Sequence, residues 1–185
     1  MATAFRDLSW TERRKFLGDK AEVAYERDRR ARGVRFTDYG LRRAPFNGAE
    51  MDQLDGTIKH GPDYIESWQR RLRFVEVQGV GNEGIVCLKD DKLAVLVAEA
   101  RLPVVLWLWH DPSQRFACLP ISQVGPMVLA ARLDGQRGVF DEHKRNPKPY
   151  TWIPWDTLTA NAATHRVAST DRARTLGARM DRRPR

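Results

Sequence analysis

Cysteine is almost missing from this chain: Cys87 and Cys118 are the only two in 185 residues. They form no CxxC pair and have no histidine at zinc-ligand spacing, which argues against a zinc ribbon and a disulfide scaffold. A chain of this length buries a core without such staples. Both thiols read as reduced residues in or near the core, in a reducing, cytoplasmic compartment. Long hydrophobic runs are missing too. The most apolar stretch, residues 93–109, is broken by Glu99, Arg101 and Pro103, so no membrane span is expected. Residues 1–16 are charged and lack the apolar centre of a secretory signal. There is no phosphate-binding Walker loop, no dinucleotide fingerprint and no serine or cysteine nucleophile motif beside His110-Asp111. Acid is in deficit: 24 Asp and Glu face 32 Lys and Arg, a formal net charge of +8. Such a surface attracts polyanions, nucleic acid foremost.

The chain reads as one domain over residues 1–160, followed by a basic tail over residues 161–185. That tail carries Arg166, Arg172, Arg174, Arg179, Arg182, Arg183 and Arg185. Two readings stay open for it: a mobile arm on phosphates, or a solvated, disordered end. Ser9-Trp10-Thr11-Glu12 has the form of a capping box. It predicts a helix from there to about residue 32, ended by Gly33, with Trp10, Leu17, Ala21, Ala24 and Asp28 on one face. Strands are expected over residues 34–39, 63–68 and 72–79, the last two joined by the polar turn Gln69-Arg70-Arg71. Residues 85–102 read as a helix with Val86, Leu93, Leu96, Val97 and Ala100 as its apolar stripe. Residues 104–109 and 115–121 read as strands, residues 127–133 as a short helix and residues 150–154 as an edge segment. The order helix, three strands, helix, two strands implies a mixed α/β sheet rather than a regular doubly wound one. Trp107, Trp109, Trp152 and Trp155 are expected in the core or an interface.

Candidate chemistry lies in the strands. Glu76 and Gln78, two residues apart, share one strand face, while Val75 and Val77 point into packing on the other. If the strands of Asp63 and Glu76 pair, their carboxylates lie close together, and Glu22 on the first helix could approach the same place. Clustered carboxylates repel and raise their own pKa values. A divalent cation relieves that repulsion, and hard oxygen ligands suit Mg²⁺, which keeps waters and also takes phosphate oxygens. The plain alternative is that these acids decorate a solvent-facing sheet.

The pattern Gly18-Asp19-Lys20-Ala21-Glu22 on a helix, then Pro62-Asp63-Tyr64, then Phe74-Val75-Glu76-Val77-Gln78 resembles the PD-(D/E)XK, restriction-endonuclease-like nucleases. The likeness leans toward the Holliday-junction-resolvase-like members of phages and prokaryotes and covers residues 15–122. Tyr150-Thr151-Trp152-Ile153-Pro154-Trp155 is similar to C-terminal segments of some members. The resemblance implies a restriction-endonuclease-like mixed central sheet flanked by helices, in α-β-β-β-α-β-β order. It implies a metal-dependent DNA endonuclease, selective for branched or forked DNA, using Mg²⁺ or Mn²⁺. Asp63 and Glu76 would bind the metal, and Glu22 would complete the site. Gln78 stands where most members carry lysine, so it can hydrogen-bond a water but brings no charge. Lys89, three residues after Val86 near the start of the second helix, is the expected substitute ammonium, with Lys92 on a flank of the stripe. A lysine there can equally snorkel past the stripe to water. His60 precedes the Asp63 strand and could assist. Arg70, Arg71, Arg73, Lys144, Arg145 and Lys148 are the expected DNA contacts. Such nucleases usually pair as homodimers, and the aromatic surplus around Trp152 and Trp155 is the expected contact. Two further readings remain: a non-catalytic member of the fold that binds nucleic acid or protein, and a structural or assembly protein.

Overall fold

Alternation along β-strands divides this chain into two hydrophobic clusters on opposite faces of one sheet. The computed structural model describes residues 19–39, 50, 53–99, 101–140 and 148–167. In chain order the elements are α1 (Asp19–Ala31), β1 (Phe36–Asp38), α2 (Gly56–Lys59), β2 (Tyr64–Trp68), β3 (Arg71–Val80), β4 (Ile85–Lys89) and α3 (Asp90–Ala98). Then come β5 (Val104–His110), β6 (Arg115–Pro120), α4 (Ile121–Leu133), β7 (Arg137–Phe140), β8 (Lys148–Pro154), α5 (Trp155–Thr159) and β9 (Thr164–Arg166). A six-stranded sheet runs in the order β1-β2-β3-β5-β6-β9, and a three-stranded sheet in the order β4-β8-β7. Only the β3–β5 pair of the large sheet is parallel. The molecule is therefore mixed α/β, with a mixed central sheet and flanking helices.

The parity of β3 assigns the faces. Val75 and Val77 pack with Ala21, Ala24 and Tyr25 of α1 and with Trp107 and Trp109 of β5. Phe74 and Val80 pack on the other face with Leu93 and Leu96 of α3, Val124 and Val128 of α4, and Val86 and Ile153 of the small sheet. Glu76 and Gln78, in phase with Phe74 and Val80, belong to the α3 face. The four apolar side chains at 105–108 explain why β5 reads as continuous hydrophobicity: both of its faces are covered.

Ion pairs hold α1 to its face. Glu66, 1% exposed, receives Arg73 at 2.5 Å, the Tyr25 hydroxyl at 2.9 Å and Arg29 at 3.4 Å. Arg29, 2% exposed, lies within 5.6 Å of the ring centres of Tyr25, Trp68 and Phe116. A guanidinium among aromatic faces keeps part of the stabilisation it loses with water.

The structure departs from the sequence reading in several places. Residues 85–89 form β4 rather than the start of a helix, and the helix begins at Asp90. Val86 and Leu88 are buried by strand alternation, and a short apolar run does not separate the two periods by itself. α4 starts at Ile121, well before residue 127, and holds Pro126 inside it. β8 is the centre of the small sheet rather than an edge. Part of the expected tail is ordered as β9, paired with β6. Trp155 is buried against His110, with ring centres 5.1 Å apart, so its packing is internal. The Ser9–Glu12 capping box, Lys144, Arg145 and the chain beyond residue 167 lie outside the described residues.

Glu66→Ala should destabilise the protein by roughly 3–5 kcal/mol, because it leaves buried arginine charge uncompensated. Urea denaturation measures this; a loss below about 1 kcal/mol, the range of an exposed pair, would contradict the buried-network description.

Candidate functional site

The turn before β2 places the first acid. Pro62 is buried, and Asp63 continues the β2–β3 ladder one residue past the strand, its N–H donating to Val75 O at 3.0 Å. β3 runs on beyond that point, and the Asp63 carboxylate takes over there. Its Oδ2 accepts the Val77 N–H at 2.8 Å. One carboxylate oxygen is thereby fixed, while Oδ1 faces the α3 side.

Glu76 stands one residue along β3 from the partner of Asp63, on the same face. It is 6% exposed. Its Oε1 meets Lys92 Nζ at 2.6 Å, and Asp63 Oδ1 lies 3.5 Å from the same nitrogen. Its Oε2 is buried and has no hydrogen-bond partner. Burial first, and then the neighbouring Asp63 carboxylate, pushes the Glu76 carboxyl well above the ordinary glutamate range, with Lys92 pulling it back. Burial works against the Lys92 ammonium, but Asp63 and Glu76 more than offset it and hold its pKa above that of an ordinary lysine. These directions oppose one another, since a protonated Glu76 would grip Lys92 only weakly. The 2.6 Å contact gives precedence to a charged Lys92. Burial, with the neighbouring Asp63 carboxylate second, is what raises Glu76.

The ammonium at the acid pair is that of Lys92, not of Lys89. Because α3 starts at Asp90, its inward face is set by Leu93 and Leu96, and Lys92, one turn before Leu96, projects to the sheet. Lys89 instead ends β4, half-buried; burial first, then Lys92 and Lys148, push its pKa down. Asp90 and Asp91 mark the helix start, as acids favour a first turn; that was the signal from which Lys92 could have been phased in place of Lys89.

Glu22 does not join the acids. It lies in the first turn of α1, the helix on the opposite face of the sheet. Among the described residues no group of three or more His, Cys, Asp or Glu is placed to hold a metal ion. The expected three-acid centre is thus a pair. Gln78 shares the Glu76 face, but its amide donates to Gly79 O at 3.3 Å. Arg70 and Arg71 are exposed at the β2–β3 turn, where Gln69 and Arg70 both take positive φ, 49° and 64°. Five residues of strand put that turn about 16 Å from Glu76, so it is not beside the acids. Arg73 is locked to Glu66 on the α1 face. Lys148 does lie on the acid side: it meets Asp91 Oδ2 at 3.5 Å, and His60 Nε2 meets the same oxygen at 3.3 Å.

No family model matches the chain, and no curated protein does. Among solved structures it is similar to D212, a nuclease from a fusselovirus, at 12% identity and a TM-score of 0.36, over 80% of this chain and 86% of that one. At that TM-score the likeness carries no argument, and a functional reading rests on the side chains themselves. No helix among the described residues is long and apolar enough to cross a membrane.

A folded carboxyl that holds its proton more tightly than the unfolded one stabilises the fold at low pH. That contribution is lost as pH rises from the ordinary glutamate value through the raised folded one. Urea denaturation of the metal-free protein should show this loss across that window, and Glu76→Gln should flatten it. An unchanged pH slope in the variant would contradict the assignment.

Proposed function

We propose that this chain is a metal-dependent phosphodiester hydrolase acting on DNA, an endonuclease of the restriction-endonuclease-like kind. The observation that carries the reading is the buried, partnerless Oε2 of Glu76 beside Asp63, backed by the Lys92 ammonium. An orphaned anionic oxygen in a poorly hydrated place is costly unless a cation or a proton meets it. The donor set fits Mg²⁺ or Mn²⁺: both groups are hard carboxylate oxygens, and such ions bind through one or two carboxylates and otherwise through waters and substrate phosphate. Glu76 Oε2 and Asp63 Oδ1 would hold the ion, with no need of Glu22.

When bound, the ion supplies Lewis-acid polarisation of the phosphate and lowers the pKa of an attacking water. The rest falls to the chain. Asp63, tied by Oδ2 to the Val77 N–H, keeps one oxygen aimed at the site. Lys92 brings a fixed positive charge where negative charge develops on the phosphate. It does from a helix what Gln78 on the strand cannot. The net charge of +8 favours a polyanionic substrate. Selectivity for branched or forked DNA and assembly as a homodimer rest on the sequence resemblance and complete the proposal.

The test is cleavage of plasmid and forked DNA with Mg²⁺, Mn²⁺ or EDTA. The wild type should cut only with metal. Asp63→Ala and Glu76→Ala should each lose more than about 100-fold, beyond what removal of an outer-shell partner gives. Lys92→Ala should lose on the order of 100-fold with substrate binding largely kept. A wild type that binds DNA and cuts with none of these metals would instead establish a non-catalytic binding module.

A further inference from the structure

Beside the acid pair lies a second cluster that hydrolysis does not use. Three elements meet there: His60 at the end of α2, Asp91 in the first turn of α3, and Lys148 at the start of β8. β4 and β8 pair with Lys89 opposite Tyr150. Carrying that register past the end of β4 sets Asp91 opposite Lys148, consistent with their 3.5 Å contact. Asp91 Oδ2 takes Lys148 and His60, while Oδ1 accepts the Lys92 N–H at 2.7 Å. Lys89 makes no ion pair among the described residues. Lys148 and His60 therefore share a single carboxylate, with the Lys89 ammonium within electrostatic reach of it, next to the lysine of the proposed catalytic site.

We propose that Lys89, Lys148 and His60 form a phosphate-binding subsite for the nucleic-acid backbone, adjacent to the Asp63–Glu76 pair, in which the Asp91 carboxylate stands in for a phosphate when no substrate is bound. The proposal rests on the hydrolase reading for its substrate and adds where the neighbouring phosphate goes. Burial is graded along the path. Side-chain exposure rises from 8% at Glu76 to 26% at Lys92, 34% at Asp91 and 39% at Lys148, with His60 at 17% on the flank. A backbone entering from solvent would meet Lys148 first and the acids last. The ammoniums also crowd one another. After burial, Lys92 and Lys148 are what hold Lys89 below its ordinary pKa, and an incoming monoanionic backbone phosphate relieves that. Both His60 contacts and Lys148 contacts to Asp91 exceed 3.2 Å, longer than a tight charge-assisted bond, so the carboxylate is exchangeable.

Duplex binding by fluorescence anisotropy, with the full chain in Ca²⁺ at several salt concentrations, tests this. The double variant Lys89→Gln, Lys148→Gln should bind more weakly, with its log–log salt slope reduced by about one, the value of one phosphate contact. Asp91→Asn keeps the acceptor for the Lys92 N–H and removes the competing charge, so it should bind several-fold tighter than wild type. Lys148→Arg should restore the slope. An unchanged slope in the double variant, or Asp91→Asn binding no tighter than wild type, overturns the subsite. If wild type cuts DNA but these binding results fail, the subsite falls and the hydrolase stands. If the slopes change as expected but no metal supports cleavage, the hydrolase falls and the anion subsite stands.

Discussion

Two carboxylates against one ammonium, on a sheet face that water hardly reaches, is the constraint around which this molecule is arranged. Asp63 and Glu76 would separate if nothing held them. Asp63 is pinned because it caps the Val77 N–H of the longer strand, and Glu76 is pinned by the strand itself. Lys92 offsets part of the repulsion but leaves one oxygen of Glu76 without a partner. It is on this residual deficit that the proposed divalent-cation site rests.

On the other face of the sheet, α1 is fixed by packing of Ala21, Ala24 and Tyr25 and by the Arg29–Glu66–Arg73 network, to which Asp28 adds a second carboxylate at 3.6 Å from Arg29 and in which aromatic rings surround the guanidinium. Both sides of β3 hold buried polar atoms without a hydrogen-bond partner, Arg29 Nε on the α1 face and Glu76 Oε2 on the other. The parallel β3–β5 pair carries both faces. Among the described residues, the arginines at positions 70, 71 and 73 belong to the turn or to this scaffold, and the cations near the acids come from α3, β4 and β8.

Much of this was legible in the sequence because it depends on parity. The alternation of Val75, Glu76, Val77 and Gln78 fixed which side chains share a face, and Pro62-Asp63 marked the strand that brings the second acid. Ala21, Ala24 and Asp28 did turn out to be one buried face of α1. What could not be read was whatever depends on where an element starts or which face it covers. An apolar run at 85–88 fits a strand or a helix equally, and misplacing that boundary moved the inward lysine from Lys92 to Lys89. Glu22 has the right spacing for a third acid, but spacing does not say on which side of a sheet its helix will pack. Arg73 looked like a phosphate contact because nothing in the turn sequence shows that it meets Glu66 and the Trp68 ring across the β2–β3 pair. The contacts joining His60, Asp91 and Lys148 span three elements, and no local pattern announces them.

Whether the Asp63–Glu76 pair holds a divalent ion decides between a hydrolase and a binding module. Crystals of the protein grown with Mn²⁺ and measured for anomalous scattering give the most direct answer. A peak about 2.1 Å from Glu76 Oε2 and from an Asp63 carboxylate oxygen is predicted. A protein saturated with Mn²⁺ whose acid pair shows no peak, with Glu76 bound to Lys92 alone, would contradict it.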